Sequence, residues 1–214
     1  MKRPEDQFPI RVLYAVNRLF TRVYHDLTVL TPPRLPESGA AILVCNHISG
    51  LDPLFLQSAV DRRLIQWMMA KEYLDLPGLG KVFRTLEIIP IDRGSRETAP
   101  FRTALRQLKA GRVVGIFPEG KIGTGGLLPL QTGTALLAIR TKSPVYPAYL
   151  DGTQRGREMI HAFASPCRAV VSFGAPIDLS GLETDRGSLL AATDRIRDGI
   201  EREKNKIVDF HKVR

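Results

Sequence analysis

Between residues 41 and 173, six short apolar runs recur with helical patterns between them: AILVC at 41–45, LIQWMM at 64–69, EIIPI at 87–91, VVGIF at 113–117, VYPAYL at 145–150 and AVVSF at 169–173. Runs this short and this rich in β-branched side chains read as strands buried on both faces. The helical stretches lie at 53–60, 97–110 (closed by Gly111), 131–140 and 185–209. This alternation predicts an α/β fold, a mixed sheet covered by helices, in one domain over residues 31–214. Ligands of such sheets sit beyond the strand ends, so the loops after the strands are where chemistry is expected.

Residues 8–27, FPIRVLYAVNRLFTRVYHDL, precede the sheet in an arm that spans 1–30. At 100° per residue Arg11, Arg18 and Arg22 share one strip, while Leu13, Val16, Leu19, Phe20, Val23 and Leu27 spread over a wide opposite arc. The pattern is an amphipathic helix, and two readings stand: a first helix packed on the core, or an interfacial helix lying on lipid. No stretch reaches the roughly 18 uncharged apolar residues of a spanning helix. MKRPEDQ leads into no apolar core of a secretory signal.

The chain has 214 residues, 31 Lys plus Arg against 22 Asp plus Glu, and a net charge of +9, which asks for an acidic partner: nucleic acid, an anionic membrane surface or a phosphorylated substrate. Aromatics make up 7% of the chain, and no stacking-type surface strand, zinc finger or heptad-linked basic region accompanies the charge, so a nucleic-acid-binding module is disfavoured. Cys45 and Cys167 are far apart with no metal-ligand spacing around them, which points to a reducing compartment and no structural metal. Cys45 ends an apolar run and reads as core rather than nucleophile.

Two loops carry candidate chemistry. After the run at 41–45 comes NHISGLDP, with Pro53 suited to open a helix and Asp52 to cap it. His47 and Asp52, five apart, would not meet on a regular helix. With His47 in a loop turned at Gly50 and Asp52 at the cap, carboxylate and imidazole come together, one ring nitrogen held as donor and the other left to accept a proton. A loop histidine beside a structural cap is the plainer alternative. After the run at 113–117 comes PEGKIGTGG. It nearly matches a phosphate-binding P-loop but fails at Ile122, which has no hydroxyl for magnesium, and at Glu119, whose charge opposes phosphate.

NHISGLD followed by FPEGKIG, each at a strand end, resembles the glycerolipid acyltransferase family typified by 1-acylglycerol-3-phosphate acyltransferases. IIPIDRG at 88–94 is similar to that family's middle block and SPVYPAYL at 143–150, with Pro147, to its final one. The resemblance covers roughly residues 40–155 and departs from the usual F-P-E-G-T-R-S at Lys121, Ile122 and Gly123. It implies an α/β sheet with an N-terminal membrane-associating element, and acyl transfer from acyl-CoA or acyl carrier protein to a lysolipid hydroxyl, with no metal or other cofactor. His47 is implied as general base and Asp52 as its orienting acid. Arg93 is implied at the acceptor phosphate, with Glu119, Gly120 and Lys121 in the acceptor-binding turn. For Arg93 a surface ion pair, and for Glu119 a carboxylate tying down the turn, remain alternatives. The implied acceptor is 1-acylglycerol-3-phosphate, beside glycerol 3-phosphate or a zwitterionic lysolipid. The implied place of work is the cytoplasmic membrane face, as a peripheral protein; a lipid-binding scaffold on the same fold is the rival.

Overall fold

The computed structural model describes residues 4–60, 62–92 and 98–213. Helix α1 (Phe8–Leu19) runs into a π-type turn, Phe20–Tyr24, and then strand β1 (Thr28–Thr31). There follow β2 (Ala41–Cys45), α2 (Asp52–Ala59), β3 (Ile65–Ala70), α3 (Leu79–Thr85), β4 (Ile89–Ile91), α4 (Ala99–Lys109) and β5 (Val113–Ile116). The chain ends with α5 (Gly133–Thr141), β6 (Val145–Asp151), α6 (Met159–Phe163), β7 (Val170–Phe173) and α7 (Arg186–Val213).

Seven strands form one sheet in the order β1-β7-β6-β2-β5-β3-β4. β6, β2, β5, β3 and β4 run parallel, whereas β7 is antiparallel to β6 and carries β1 parallel to itself, so the sheet is mixed. All five residues of β2 are buried, and successive side chains alternate between faces. Leu43 and Cys45 join one core with Phe55, Leu56 and Met159 under α2 and α6; Ile42 and Val44 join the other with Ala104, Leu137, Ile196 and Ile200 under α4, α5 and α7. Covering both faces is what lets a parallel strand be apolar throughout. Since β2 and β5 are paired neighbours with Ile42 opposite Val114, their following loops emerge side by side.

The six expected strands and four expected helices are present, with ends shifted by a few residues. β1, α3 and α6 were not foreseen, being short segments stabilised by what they pack on. β1 crosses the boundary expected at residue 30, because pairing with β7 makes it part of the sheet. The arm also differs from its wheel. Leu27 is buried and Phe20 packs on the core, so neither belongs to an outward arc. Ile10 and Thr21 face inward, Asn17 donates to the Leu54 carbonyl (2.8 Å) and Thr21 to Ser58 Oγ (2.6 Å). Phe8, Val12, Val16, Leu19 and Val23 point to solvent. The helix packs on the core along one side and leaves a second apolar side uncovered.

Candidate active site

The loop from β2 to α2 is anchored at its first residue. Asn46 behaves like one more strand residue, its amide donating to the Leu150 carbonyl (2.9 Å) and its oxygen accepting from the Leu150 amide (2.8 Å). His47 follows, with Nδ1 3.0 Å from Asp52 Oδ2. Asp52 is fully buried, and that same oxygen accepts the amide N–H groups of Ile48 (2.7 Å) and Ser49 (2.9 Å), while Oδ1 accepts the Thr153 hydroxyl (2.9 Å). Four donors on one carboxylate hold it in position. An oxygen that only accepts, facing Nδ1, assigns the ring proton there and leaves Nε2 as the acceptor.

The expected N-cap role of Asp52 is corrected. Leu51 is the cap and Asp52 the first helical residue, its carboxylate turned back onto the loop rather than onto the helix amides. Gly50 also has a different reason from a left-handed turn: a Cβ there would run into the backbone of Met159 at the start of α6.

Glu119, in the loop after β5, ties the two loops together. Oε1 accepts the His47 amide (2.8 Å) and Oε2 the Leu128 amide (2.9 Å), while the Gly123 amide donates to the His47 carbonyl (2.7 Å). Each Glu119 oxygen accepts a loop amide, so the carboxylate both orients the His47 amide and ties down the turn after β5. Burial pushes its carboxyl above the usual range, against the downward pull of the Leu128 and His47 amides and the His47 ring. Gly120 sits at φ +71° on the rim, and Lys121 is exposed beside it. Arg93 lies outside the described residues.

The imidazole is also held by its face. The Phe117 ring stacks on it with centroids 4.0 Å apart and 11° between planes, and Trp67 stacks behind Phe117 at 4.9 Å and 12°. Gly115 makes room for the stack, since a Cβ there would collide with Trp67 and Ile65. His47 opens onto a groove of about 290 Å³ whose wall is mostly apolar, with Met68, Ile91, Phe101, Ile116 and Leu137 beside the polar Asp92, Gln131 and Thr134. Asn46, Thr153, Phe117 and Trp67 were not singled out from the sequence as site residues. Asn46, next to His47, and Phe117, two residues before Glu119, lie within the two motifs themselves, whereas Thr153 and Trp67 reach the site through other strands.

Such an arrangement can take a proton at Nε2 and stabilise the imidazolium that results. Thiol nucleophiles are not prepared: burial, followed by the charges of Asp52 and Glu119, pushes Cys45 well up, and burial then Asp52 push Cys167 up to about 11. Among the described residues no three of His, Cys, Asp and Glu converge as a metal-ligand set.

Comparison with known proteins bears on this geometry. A family model described as Acyltransferase matches residues 26–151. The chain is 28% identical over 131 residues to a 1-acyl-sn-glycerol-3-phosphate acyltransferase of Bacillus subtilis, covering 61% of this chain and 65% of that protein. It is 36% identical over 144 residues to an N-acylphosphatidylethanolamine synthase of Arabidopsis thaliana, covering 62% of this chain and 49% of the relative. The chain thus spans between about half and two thirds of the length of these relatives. The crystal structure of the 1-acyl-sn-glycerophosphate acyltransferase PlsC from Thermotoga maritima shares the fold, with a TM-score of 0.70 at 21% identity, covering 91% of this chain and 79% of that one.

Proposed function

This chain belongs to the acyltransferase family, and from that we propose that it moves a fatty acyl group from an acyl thioester to the hydroxyl of a lysophospholipid, 1-acylglycerol-3-phosphate, giving phosphatidate. The observation that carries the reading is the 3.0 Å contact between His47 Nδ1 and a buried, fully engaged Asp52, at the mouth of a mostly apolar groove. In the proposed step the acceptor hydroxyl gives its proton to His47 Nε2 as its oxygen attacks the thioester carbonyl. The new C–O bond forms, the C–S bond breaks, and the leaving thiolate recovers a proton. Asp52 fixes the tautomer and stabilises the transient imidazolium. The donor is carried by coenzyme A or acyl carrier protein, and the groove wall of Met68, Ile91, Phe101 and Leu137 suits its acyl chain.

The test is release of free thiol from acyl-CoA or acyl carrier protein thioester in the presence of lysophosphatidate, read against glycerol 3-phosphate, a zwitterionic lysolipid and the amine of phosphatidylethanolamine. Acceptor-independent release, or none with any donor, would overturn the reading. Arg93 and Lys121 are assigned to the acceptor phosphate. Arg93→Ala is expected to raise KM for lysophosphatidate by about 10- to 100-fold, the range for losing a charged hydrogen bond, with donor KM unchanged. Lys121→Ala should do the same to a smaller extent. Unchanged acceptor KM in both would put the head group elsewhere.

Phe117→Leu keeps an apolar residue under His47 but removes the stacked face. A fall in kcat of up to about tenfold is expected, with little change in either KM. A wild-type kcat would show that Asp52 alone suffices to hold the ring.

We place this chemistry at the cytoplasmic membrane surface, as a peripheral protein. Among the described residues no helix is long and apolar enough to cross a membrane. Behind the exposed apolar side of α1, core-packed Phe20 stacks at 5.0 Å on Phe163, which with Ile160 is exposed on α6. That helix abuts Gly50 in the His47 loop, so the uncovered apolar surface adjoins the site that a lipid must enter.

A further inference from the structure

Helix α4, APFRTALRQLK, carries three cations and no acid. Arg102, Arg106 and Lys109 fall within about 60° of one another at 100° per residue, and all three are exposed, along roughly 10 Å of helix. Helix α5 packs beside α4 and has no acid either. It adds exposed Arg140, whose guanidinium lies 5.9 Å from the centre of the Phe101 ring. Among the described residues none of these four cations is ion-paired, whereas Arg62, Lys204, Lys206 and Lys212 each have a carboxylate within 3.2 Å. A solvated helix face ordinarily mixes both signs, as α7 does in this chain. Like charges gathered on two neighbouring helices repel one another and are best neutralised by a partner of opposite sign.

The position of the strip narrows what that partner is. The first turns of α4 and α5 supply Pro100, Phe101, Gly133 and Thr134 to the groove onto which His47 opens, so the strip begins at the rim of that groove. None of the four cations lines the groove itself. They stand on the convex outer side of two helices, which suits the surface of another protein, whereas a nucleotide is held in a concave pocket. α4 and α5 cover the sheet face of Ile42 and Val44, while α2 and α6 cover the opposite face and α1 packs on α2. The cations therefore turn away from the apolar surface of α1 and α6, and a bilayer that meets that surface does not meet them.

We propose that the strip on α4 and α5 is the docking surface for the acyl donor in its protein-borne form, a small acidic protein that carries the acyl thioester on a flexible arm, as acyl carrier protein does. This rests on the reading of the chain as an acyltransferase. Carboxylates of the carrier lie along Arg102, Arg106 and Lys109, with Arg140 at the rim, and the arm passes beside Phe101 into the groove toward His47. The transfer is the one written above, and the thiol stays on the carrier when the C–S bond breaks. Donor and lipid acceptor then reach His47 from opposite faces of the sheet.

The test measures transfer by the full chain to a short-chain, water-soluble lysophosphatidate from two donors with the same acyl chain, acyl carrier protein and coenzyme A. R102Q/R106Q/K109Q removes charge from the strip and leaves Arg140 over Phe101. R102K/R106K keeps the charge. R34Q/K81Q/R168Q removes as much charge from exposed positions elsewhere. The strip glutamine variant is expected to raise KM for the carrier-borne donor about thirtyfold, roughly threefold for each exposed charge pair lost, with KM for acyl-CoA and both kcat values changed by less than about threefold. The other two variants should stay within about threefold of wild type with either donor. An equal rise in KM for both donors would mean a nucleotide site, and an equal rise in R34Q/K81Q/R168Q would mean net charge; either overturns the surface. A lysine variant as impaired as the glutamine one would mean packing rather than charge and overturns it too. Fluorescence anisotropy of labelled holo acyl carrier protein reads docking without turnover, and binding by the strip glutamine variant should be about thirtyfold weaker than by wild type. No binding by a wild-type protein that transfers from acyl-CoA would overturn the surface and leave the acyltransferase reading standing. Binding that is lost in the strip variant of a protein that transfers no acyl group would sink that reading and leave the surface standing.

Discussion

His47→Ala is expected to abolish acyl transfer in a protein that still folds. General-base function contributes roughly 100- to 10,000-fold in rate, and the ring itself makes one side-chain hydrogen bond and one stacked contact, both at a partly open rim. Asp52→Asn should lower kcat by a similar order, because an amide nitrogen facing Nδ1 favours the wrong tautomer. The two differ in stability. Asp52 receives the Ile48 and Ser49 amides and the Thr153 hydroxyl in a fully buried position. Truncation to Ala leaves these donors unmet, at about 1–3 kcal/mol for each one that stays dry. Thermal melts beside steady-state kinetics separate the cases: a large loss of rate at an unchanged melting point for His47→Ala, and loss of both for Asp52→Ala. Wild-type kcat in a folded His47→Ala protein would falsify the assignment.

Glu119→Ala is expected to cost more in structure than any other single change in the turn after β5. It strands the amides of His47 and Leu128 together, a penalty of about 1–3 kcal/mol for each that stays buried, and it frees the loop that carries the general base. Glu119→Gln retains one acceptor oxygen but sets an NH2 against the other amide, so kcat should fall while the fold survives. The pH dependence has a definite sign. Burial raises this carboxyl in the folded state, so the folded protein takes up the proton first on acidification. Wild-type stability relative to Glu119→Gln therefore improves as pH falls from the raised folded value to the ordinary carboxylate value, and is flat above and below that window. Activity moves the opposite way there, since a protonated carboxyl no longer accepts both amides. Chemical denaturation of both proteins across that window checks the first trend and initial rates check the second. Parallel pH curves for the two proteins would show that Glu119 does not titrate there.

The local pattern of the chain was enough to reveal the α/β class, the strands at 41–45 and 113–117, and the two loops that follow them, because buried parallel strands must be apolar on both faces and must end where the chain turns polar. The meeting of His47 with Asp52 was legible for a similar reason: a loop before a Pro53-opened helix leaves few ways to arrange residues five apart. What brought Glu119 to the His47 amide was the pairing of β2 with β5, seventy-two residues apart in sequence. Thr153 and Trp67 were hidden because each reaches the site across a strand order that sequence does not spell out, and the stacking of Phe117 on His47 needed the same β2–β5 pairing. The arm shows the division most plainly. Its periodicity disclosed an amphipathic helix, yet a wheel has no inside until something packs on it. Contact with α2 through Asn17 and Thr21 selected one side to bury, and so left Phe8, Val12, Val16, Leu19 and Val23 facing outward: side-chain period is a local property of the chain, but which side meets water is settled only when the tertiary structure covers the other.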